Sequence, residues 1–281
     1  MLNPSRDPRR VFLFRGEKYM GILEEYYSSY NEDERLTIRH GQVEYLTTMQ
    51  YIHKYLPVGS RVLEVGAGTG RYSLALAREG YQVNAIELIP HNIEVFRSKL
   101  TKEDTVVVEQ GNALDLSRFE DGTFDGVLVL GPMYHLYSEE DQLQALAEAK
   151  RVLKQEGVLM TAYCMNDPSV IHPCFQGDGQ LMLDEIEKGN VNEAFHFRTA
   201  LEEIFTLYRL EEIDALNHKS GLRRQEIIGT DLFTKYIQDQ IDDWREEVFQ
   251  VYLKYHFTVC MRPDLIGVSH HTLDIVKKEE P

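Results

Sequence analysis

Cysteine is scarce in this chain: three in 281 residues, Cys164, Cys174 and Cys260, odd in number and far apart, which argues against a disulfide framework. Zinc-type ligand spacing is missing too. His172, Cys174 and the His270-His271 pair read as a chance grouping, so no metal is expected. Basic residues are the minority, 30 Lys and Arg against 46 Asp and Glu, for a net charge of −16. A protein that tracks phosphates needs a basic face, so nucleic acid is not an expected partner. The short clusters Arg6, Arg9, Arg10 and Arg223-Arg224 read as solvated surface. Long apolar runs are also lacking. Val11 to Phe14 is too short for a signal peptide or a membrane span, and a cytoplasmic protein with no membrane contact is expected. No internal repeat appears, and 43% hydrophobic residues suffice for one sizeable core.

The chemistry concentrates between residues 61 and 87. Arg61 to Val65 reads as a buried strand, with Val62, Leu63 and Val65 apolar, and it runs into glycines at alternate positions, Gly66, Gly68 and Gly70. From Arg71 to Glu79 the pattern Tyr72, Leu74, Ala75, Leu76 and Ala77 reads as a helix on the sheet. Glycines at such a turn permit positive φ and keep Cβ atoms away from a ligand. A second strand, Gln82 to Leu88, carries Glu87, 17 residues beyond Gly70, where an acid can accept from both hydroxyls of a ribose. The dinucleotide fingerprint would need a glycine where Arg71 stands. Glu64, just before the turn, suits an ammonium group better than a phosphate.

The nonapeptide Val-Leu-Glu-Val-Gly-Ala-Gly-Thr-Gly with the spaced Glu87 resembles motif I of the class I S-adenosylmethionine-dependent methyltransferases. The resemblance implies an α/β, Rossmann-like seven-stranded mixed sheet in the order 3-2-1-4-5-7-6, with strand 7 antiparallel. It implies S-adenosylmethionine as cofactor, held at Glu64, Gly66, Ala67, Gly68, Gly70, Glu87, Leu88, Asn112, Ala113, Leu130 and Gly131. Asn112 stands where the family usually has an acid for the adenine amino group. The cofactor carboxylate commonly needs a donor from outside the core, and Arg39 and Tyr19 are candidates. Tyr134 and His135 sit on the loop where family members place their catalytic or substrate-facing residues. His135 is the candidate general base for an acceptor that must lose a proton. His172, Tyr163 and His196 have weaker claims.

Further strands are expected at Asp104 to Gln110, Phe124 to Leu130 and Val158 to Cys164, with Ser138 capping the helix between the last two. Residues 1–57 form a helical cap, 58–165 the cofactor-binding core, and 166–281 the remainder of the same sheet with lid insertions at about 166–198 and 220–263, one domain in all. A helix is expected at Glu17 to Tyr30, and another from about Arg39. Leu201 to Tyr208 reads as a helix, Leu210 to Leu216 as the sixth strand and Ile266 to Val276 as the seventh. The stripe Leu232, Phe233, Tyr236, Ile237, Ile241, Trp244, Val248, Val251, Tyr252 and Tyr255 recurs at helical spacing and must bury itself on this domain or on a second copy.

The expected activity is transfer of a methyl group, by in-line displacement, to an O or N of a small-molecule acceptor. Three alternatives stay open: methylation of protein or RNA, a catalytically silent cofactor-binding module, and a nicotinamide-dependent oxidoreductase.

Overall fold

The computed structural model describes residues 21–27, 32–198 and 204–279. Seven strands form one sheet: β1 Arg61–Val65, β2 Gln82–Glu87, β3 Val107–Gln110, β4 Phe124–Val129, β5 Leu153–Cys164, β6 Leu222–Gly229 and β7 His271–Lys278. Their order is β3-β2-β1-β4-β5-β7-β6. β1 pairs in parallel with β2 and β4, and β7 lies antiparallel between β5 and β6. The central strands are apolar on both faces because helices cover both. Leu63, Val65, Val127 and Val129 pack toward the helices Glu139–Val152 and Leu210–Ser220, whereas Val62, Leu128 and Met160 pack toward Arg39–Tyr55 and Arg71–Arg78. Ser138 caps the Glu139–Val152 helix, its hydroxyl accepting from the Asp141 N–H at 3.1 Å.

The C-terminal third departs from the sequence expectation. Leu210 to Leu216 is helical, part of Leu210–Ser220, and the sixth strand lies after it, at Leu222–Gly229. Short apolar runs do not separate strand from helix. Here the deciding signal is Gly221, left-handed at φ 60°, which ends the helix and turns the chain into β6. The seventh strand starts at His271 rather than Ile266, after a 3-10 turn at Ile266–Val268. The excursion from β6 to β7 is a broken helical insertion: Thr234–Ile237, Gln238–Asp243 and Glu246–Val259. It buries Ile241, Phe249 and Leu253 against Val43 of the helix Arg39–Tyr55. Of the first expected helix, residues 21–27 are described and helical. Of Leu201 to Tyr208, residues 204–208 are not helical, and Tyr208 bridges Met165. Tyr19 lies outside the described residues. Among the described residues no helix is long and apolar enough to cross a membrane.

Candidate functional site

The carboxyl ends of β1, β2 and β4 converge on the glycine turn, the edge at which open parallel sheets bind ligands. Gly66 has φ 74°, and a Cβ there would lie 2.5 Å from the Pro132 ring, so glycine alone lets the turn after β1 meet the loop after β4. Gly131, on that loop, would bring a Cβ to 3.3 Å from the Gly66 carbonyl. At Gly70, φ 86°, a Cβ would strike the Phe96 ring at 2.5 Å. The turn is therefore a cradle of bare backbone.

Glu87 ties the cradle to β2. Its Oε2 accepts from the Gly68 N–H at 2.7 Å, and its Oε1 from the Ile89 N–H at 2.9 Å and weakly from Asn92 Nδ2 at 3.4 Å. A carboxylate has about four acceptor positions, so capacity remains for a hydroxyl. Burial raises the Glu87 carboxyl pKa despite these donors. Glu64 is also buried, with the Ser73 hydroxyl donating to it. Burial lifts its pKa to about 8, outweighing the Ser73 bond, and among the described residues no cation pairs with it. A ligand ammonium would supply one. Arg71, which breaks the dinucleotide spacing, lays its guanidinium 4.6 Å from the centre of the Tyr45 ring.

The other sequence candidates fall out unevenly. Leu88 and Ala113 follow β2 and β3 at the same edge, and the Leu130 carbonyl accepts from the Tyr134 hydroxyl at 3.0 Å. Asn112 is exposed, and its Oδ1 accepts from the Leu114 N–H at 3.0 Å in a local turn. The side chain of Arg39 goes elsewhere. It donates to the Trp244 carbonyl, pairs with Glu246 at 3.5 Å and covers the Phe249 ring, so it joins the helix Arg39–Tyr55 to the insertion. The weaker candidates separate: Tyr163 is fully buried in the core, His196 pairs with Glu212 at 2.9 Å, and His172 packs on the His270 ring at 5.3 Å. Cys174 packs among Val170, Met182 and Val191.

Beside Tyr134 lies a cavity of about 240 Å³. Its lining includes a group of rings in mutual contact, Tyr26, Tyr134 and Phe205, and a charged group, Glu44, Asp231 and His271. Tyr134 and His135 come together as expected, but His135 is behind the wall. Its Nδ1 is 3.0 Å from the Ile204 carbonyl, which can only accept, so Nδ1 carries the proton. Its Nε2 then accepts from the Tyr27 hydroxyl at 2.7 Å. Burial depresses the His135 pKa to about 4, against the Ile204 bond, leaving the ring neutral at neutral pH.

Glu44, Asp231 and His271 bring three potential ligand atoms within 4.8 Å of one another. Each already has a partner. Arg35 donates to Glu44 at 2.8 Å, and His271 Nδ1 lies 2.9 Å from Asp231 and 3.5 Å from Glu44. Burial works against charging His271, but Glu44, Cys164 and Asp231 outweigh it and raise its pKa well above the usual imidazole value. The cluster is thus a hydrogen-bonded network whose carboxylates favour the charged form of His271. None of its members was a sequence candidate except His271, and that only in a rejected metal grouping. They come from the helix Arg39–Tyr55, the turn after β6 and the start of β7, and no local pattern connects those segments.

Residues 63–161 match the family described as "Methyltransferase domain". Over 106 residues the chain is 35% identical to an S-adenosyl-L-methionine-dependent Diels-Alderase of Talaromyces variabilis, covering 36% of this chain and 35% of that protein. Over 101 residues it is 36% identical to a glycine/sarcosine N-methyltransferase of Parasynechococcus marenigrum, covering 35% of this chain and 36% of that protein. The chain thus spans little more than a third of the length of these two curated relatives. A solved protein of Pyrococcus horikoshii shares the fold across 91% of this chain and 99% of its own, with TM-score 0.58 and 17% identity. In its glycine turn, its strand order and the methyltransferase domain matched at residues 63–161, this chain is similar to the class I S-adenosylmethionine-dependent methyltransferases.

Proposed function

We propose that the protein transfers a methyl group from S-adenosylmethionine to an oxygen or nitrogen of a small-molecule acceptor. One observation carries this reading: the bare-backbone cradle, with the Glu87 carboxylate fixed beside it, adjoins an aromatic-walled cavity through the Gly131–Tyr134 loop. S-adenosylmethionine, when bound, supplies a methyl already activated by its sulfonium. The chain's own tasks are then to hold the acceptor in line, exclude water and take a proton. In the proposed site Glu87 accepts from the ribose hydroxyls, and Glu64 faces the ammonium. Tyr26, Tyr134 and Phe205 enclose the acceptor. As the acceptor gives its proton to the Tyr27 oxygen, Tyr27 passes its own to His135 Nε2. No metal is assigned, because Arg35 and His271 already engage the two carboxylates. The cavity size and the acidic chain support a small acceptor over a polynucleotide. The exposed row Val248, Val251 and Tyr255 supports assembly of two copies through the insertion.

A second reading has support in one relative, whose name couples the same cofactor to a Diels-Alder reaction. In that case the cofactor would be bound but not consumed. Calorimetric titration with S-adenosylmethionine, S-adenosylhomocysteine and NADH tests the cofactor. One-site binding of the sulfur nucleosides alone is expected, and binding of NADH alone would overturn the proposal. Formation of S-adenosylhomocysteine with a turned-over acceptor separates transfer from the second reading.

A further inference from the structure

One histidine of the cavity wall is oriented from behind. Asp231 is buried, and its Oδ1 accepts from the Ser269 hydroxyl at 2.7 Å and from the His271 N–H at 3.2 Å. Its Oδ2 is left for the ring, 2.9 Å from His271 Nδ1. A carboxylate held by other donors accepts there, so Nδ1 carries the proton. The turn that presents Asp231 is itself constrained. Leu232 has φ 38°, a region a leucine rarely occupies, and its N–H and that of Asp231 both donate to the Ser269 hydroxyl, at 2.9 and 3.2 Å. Strain that surrounding structure holds in place clusters at functional sites.

A thiol comes from the neighbouring strand. Cys164, the last residue of β5, stands directly opposite His271, the first of β7. Residues paired in this way project from the same face of the sheet with Cβ atoms about 4.5–5.5 Å apart, and Cys164 is a hydrogen-bonding neighbour of the His271 ring. With Nδ1 given to Asp231, the thiol is left to Nε2. Cys164, Asp231 and His271 all line the cavity; the His271 side chain is 27% exposed and Cys164 7%. Cys174 and Cys260 are more deeply buried and do not line it. The other charged and titratable groups at the ring are Glu44, 3.5 Å from Nδ1 and bonded to Arg35, and His270, its neighbour in the chain. Thiol, imidazole and carboxylate in this order activate a nucleophile on unrelated folds, and the pairing is the same whether the proton rests on sulfur or on nitrogen.

We propose that Cys164, His271 and Asp231 form a nucleophilic triad, and that the cavity takes a ligand with a carbon–carbon double bond conjugated to a carbonyl, to which Cys164 adds. The sulfur forms a bond to the β-carbon, the double-bond pair moves to the carbonyl oxygen as an enolate, and the thiol proton passes through His271 Nε2 to the α-carbon. Nothing leaves, no oxidant is needed, and the reverse sequence releases the ligand. Acyl transfer would need water to clear the acyl-enzyme, whereas the rings of Tyr26, Tyr134 and Phe205 suit a flat conjugated body. At about 240 Å³ the cavity exceeds the roughly 150 Å³ that admits benzene, so a ring bearing a short enone has room. This chemistry is additional to methyl transfer and does not depend on it.

The test treats the full chain with phenyl vinyl ketone, its saturated analogue propiophenone and phenyl acetate, and reads adducts by intact mass and peptide mapping. Phenyl vinyl ketone is expected to give one adduct, at Cys164, at least about tenfold faster than with N-acetylcysteine at pH 7, where a free thiol is only a few per cent ionised. Propiophenone should give none, and Cys164→Ser should abolish the adduct. His271→Gln and Asp231→Asn should each slow addition by about 10²-fold. His271→Gln should also give the reaction the steep pH dependence of a free thiol, a change that lost packing would not produce. Thermal unfolding checks the fold of each variant, and the parent protein's adduct site and rate decide the matter where a variant melts early. Labelling spread over the three cysteines, a rate no faster than the free thiol, an unchanged rate in a folded His271→Gln, or acylation by phenyl acetate outrunning addition would overturn the proposal.

Discussion

Replacing Glu87 with glutamine keeps the shape of the side chain and changes only its charge and one acceptor atom. In the native chain one carboxylate oxygen takes the Gly68 N–H at 2.7 Å and the other the Ile89 N–H at 2.9 Å. A glutamine must turn its NH₂ toward one of those donors, and it offers the ribose a single neutral acceptor. A hydrogen bond to a charged group is worth about 1.5–3 kcal/mol, so the dissociation constant for S-adenosylhomocysteine should rise by about 10- to 150-fold. Calorimetry gives that constant directly. Because the turn also loses a partner, stability by chemical denaturation should fall by about 1–3 kcal/mol. The two effects are separated by repeating the titration with the 2′-deoxy analogue of the ligand. If Glu87 accepts from the ribose, the variant's penalty shrinks for the analogue. An unchanged affinity, or an equal penalty for both ligands, would refute the ribose assignment and leave Glu87 as a brace for the glycine turn.

His135→Asn and Tyr27→Phe should each slow transfer to an acceptor that must lose a proton by about 10²–10⁴-fold, the usual worth of general-base help, with S-adenosylhomocysteine affinity unchanged. Equal rates in parent and variants would remove the pair from the reaction. Glu64 has a folded pKa of about 8, above its unfolded value, so its contribution to apo-protein stability is full below the unfolded pKa and lost as pH rises through about 8. Glu64→Gln should therefore flatten stability between pH 5 and 8 by roughly 1 kcal/mol per pH unit and weaken S-adenosylhomocysteine, and a parallel pH curve would contradict it. His256 is fully buried with an unpartnered Nε2 and, through burial, a pKa near 4. Its depressed pKa costs stability as pH falls below the unfolded value, so His256→Leu should lessen the loss between pH 7 and 5 by about 1–2 kcal/mol. Val251→Glu, at a side chain 66% exposed on the insertion helix, should convert any dimer seen by sedimentation to monomer, and a dimer that persists would place the contact elsewhere.

The first half of the sheet was legible because its signals are local. Each of β1, β2 and β4 is a short apolar run ended by a glycine, an acid or a loop, and the cofactor edge follows once those strands are parallel. The tail was misread for the opposite reason. Leu210 to Leu216 is apolar enough for either a strand or the buried face of a helix, and Gly221 settles the matter only through the backbone it adopts. Arg39 was placed correctly on a helix and wrongly in purpose, since nothing in its neighbourhood signals that Trp244 and Glu246 fold back onto it.

The sequence alone determined the likeness to a methyltransferase domain, the glycine cradle and the acid at the end of β2, because adjacent residues make that motif and spacing along the chain sets its geometry. Tertiary structure alone decided what lines the cavity. Tyr27 meets His135 across 108 residues, and Glu44, Asp231 and His271 meet across the helix Arg39–Tyr55, the turn after β6 and the start of β7. Which carboxylate meets Arg35 and which meets His271 is decided in the same way. That distribution of charge is a property of packing between distant segments, and no periodicity in the chain encodes it.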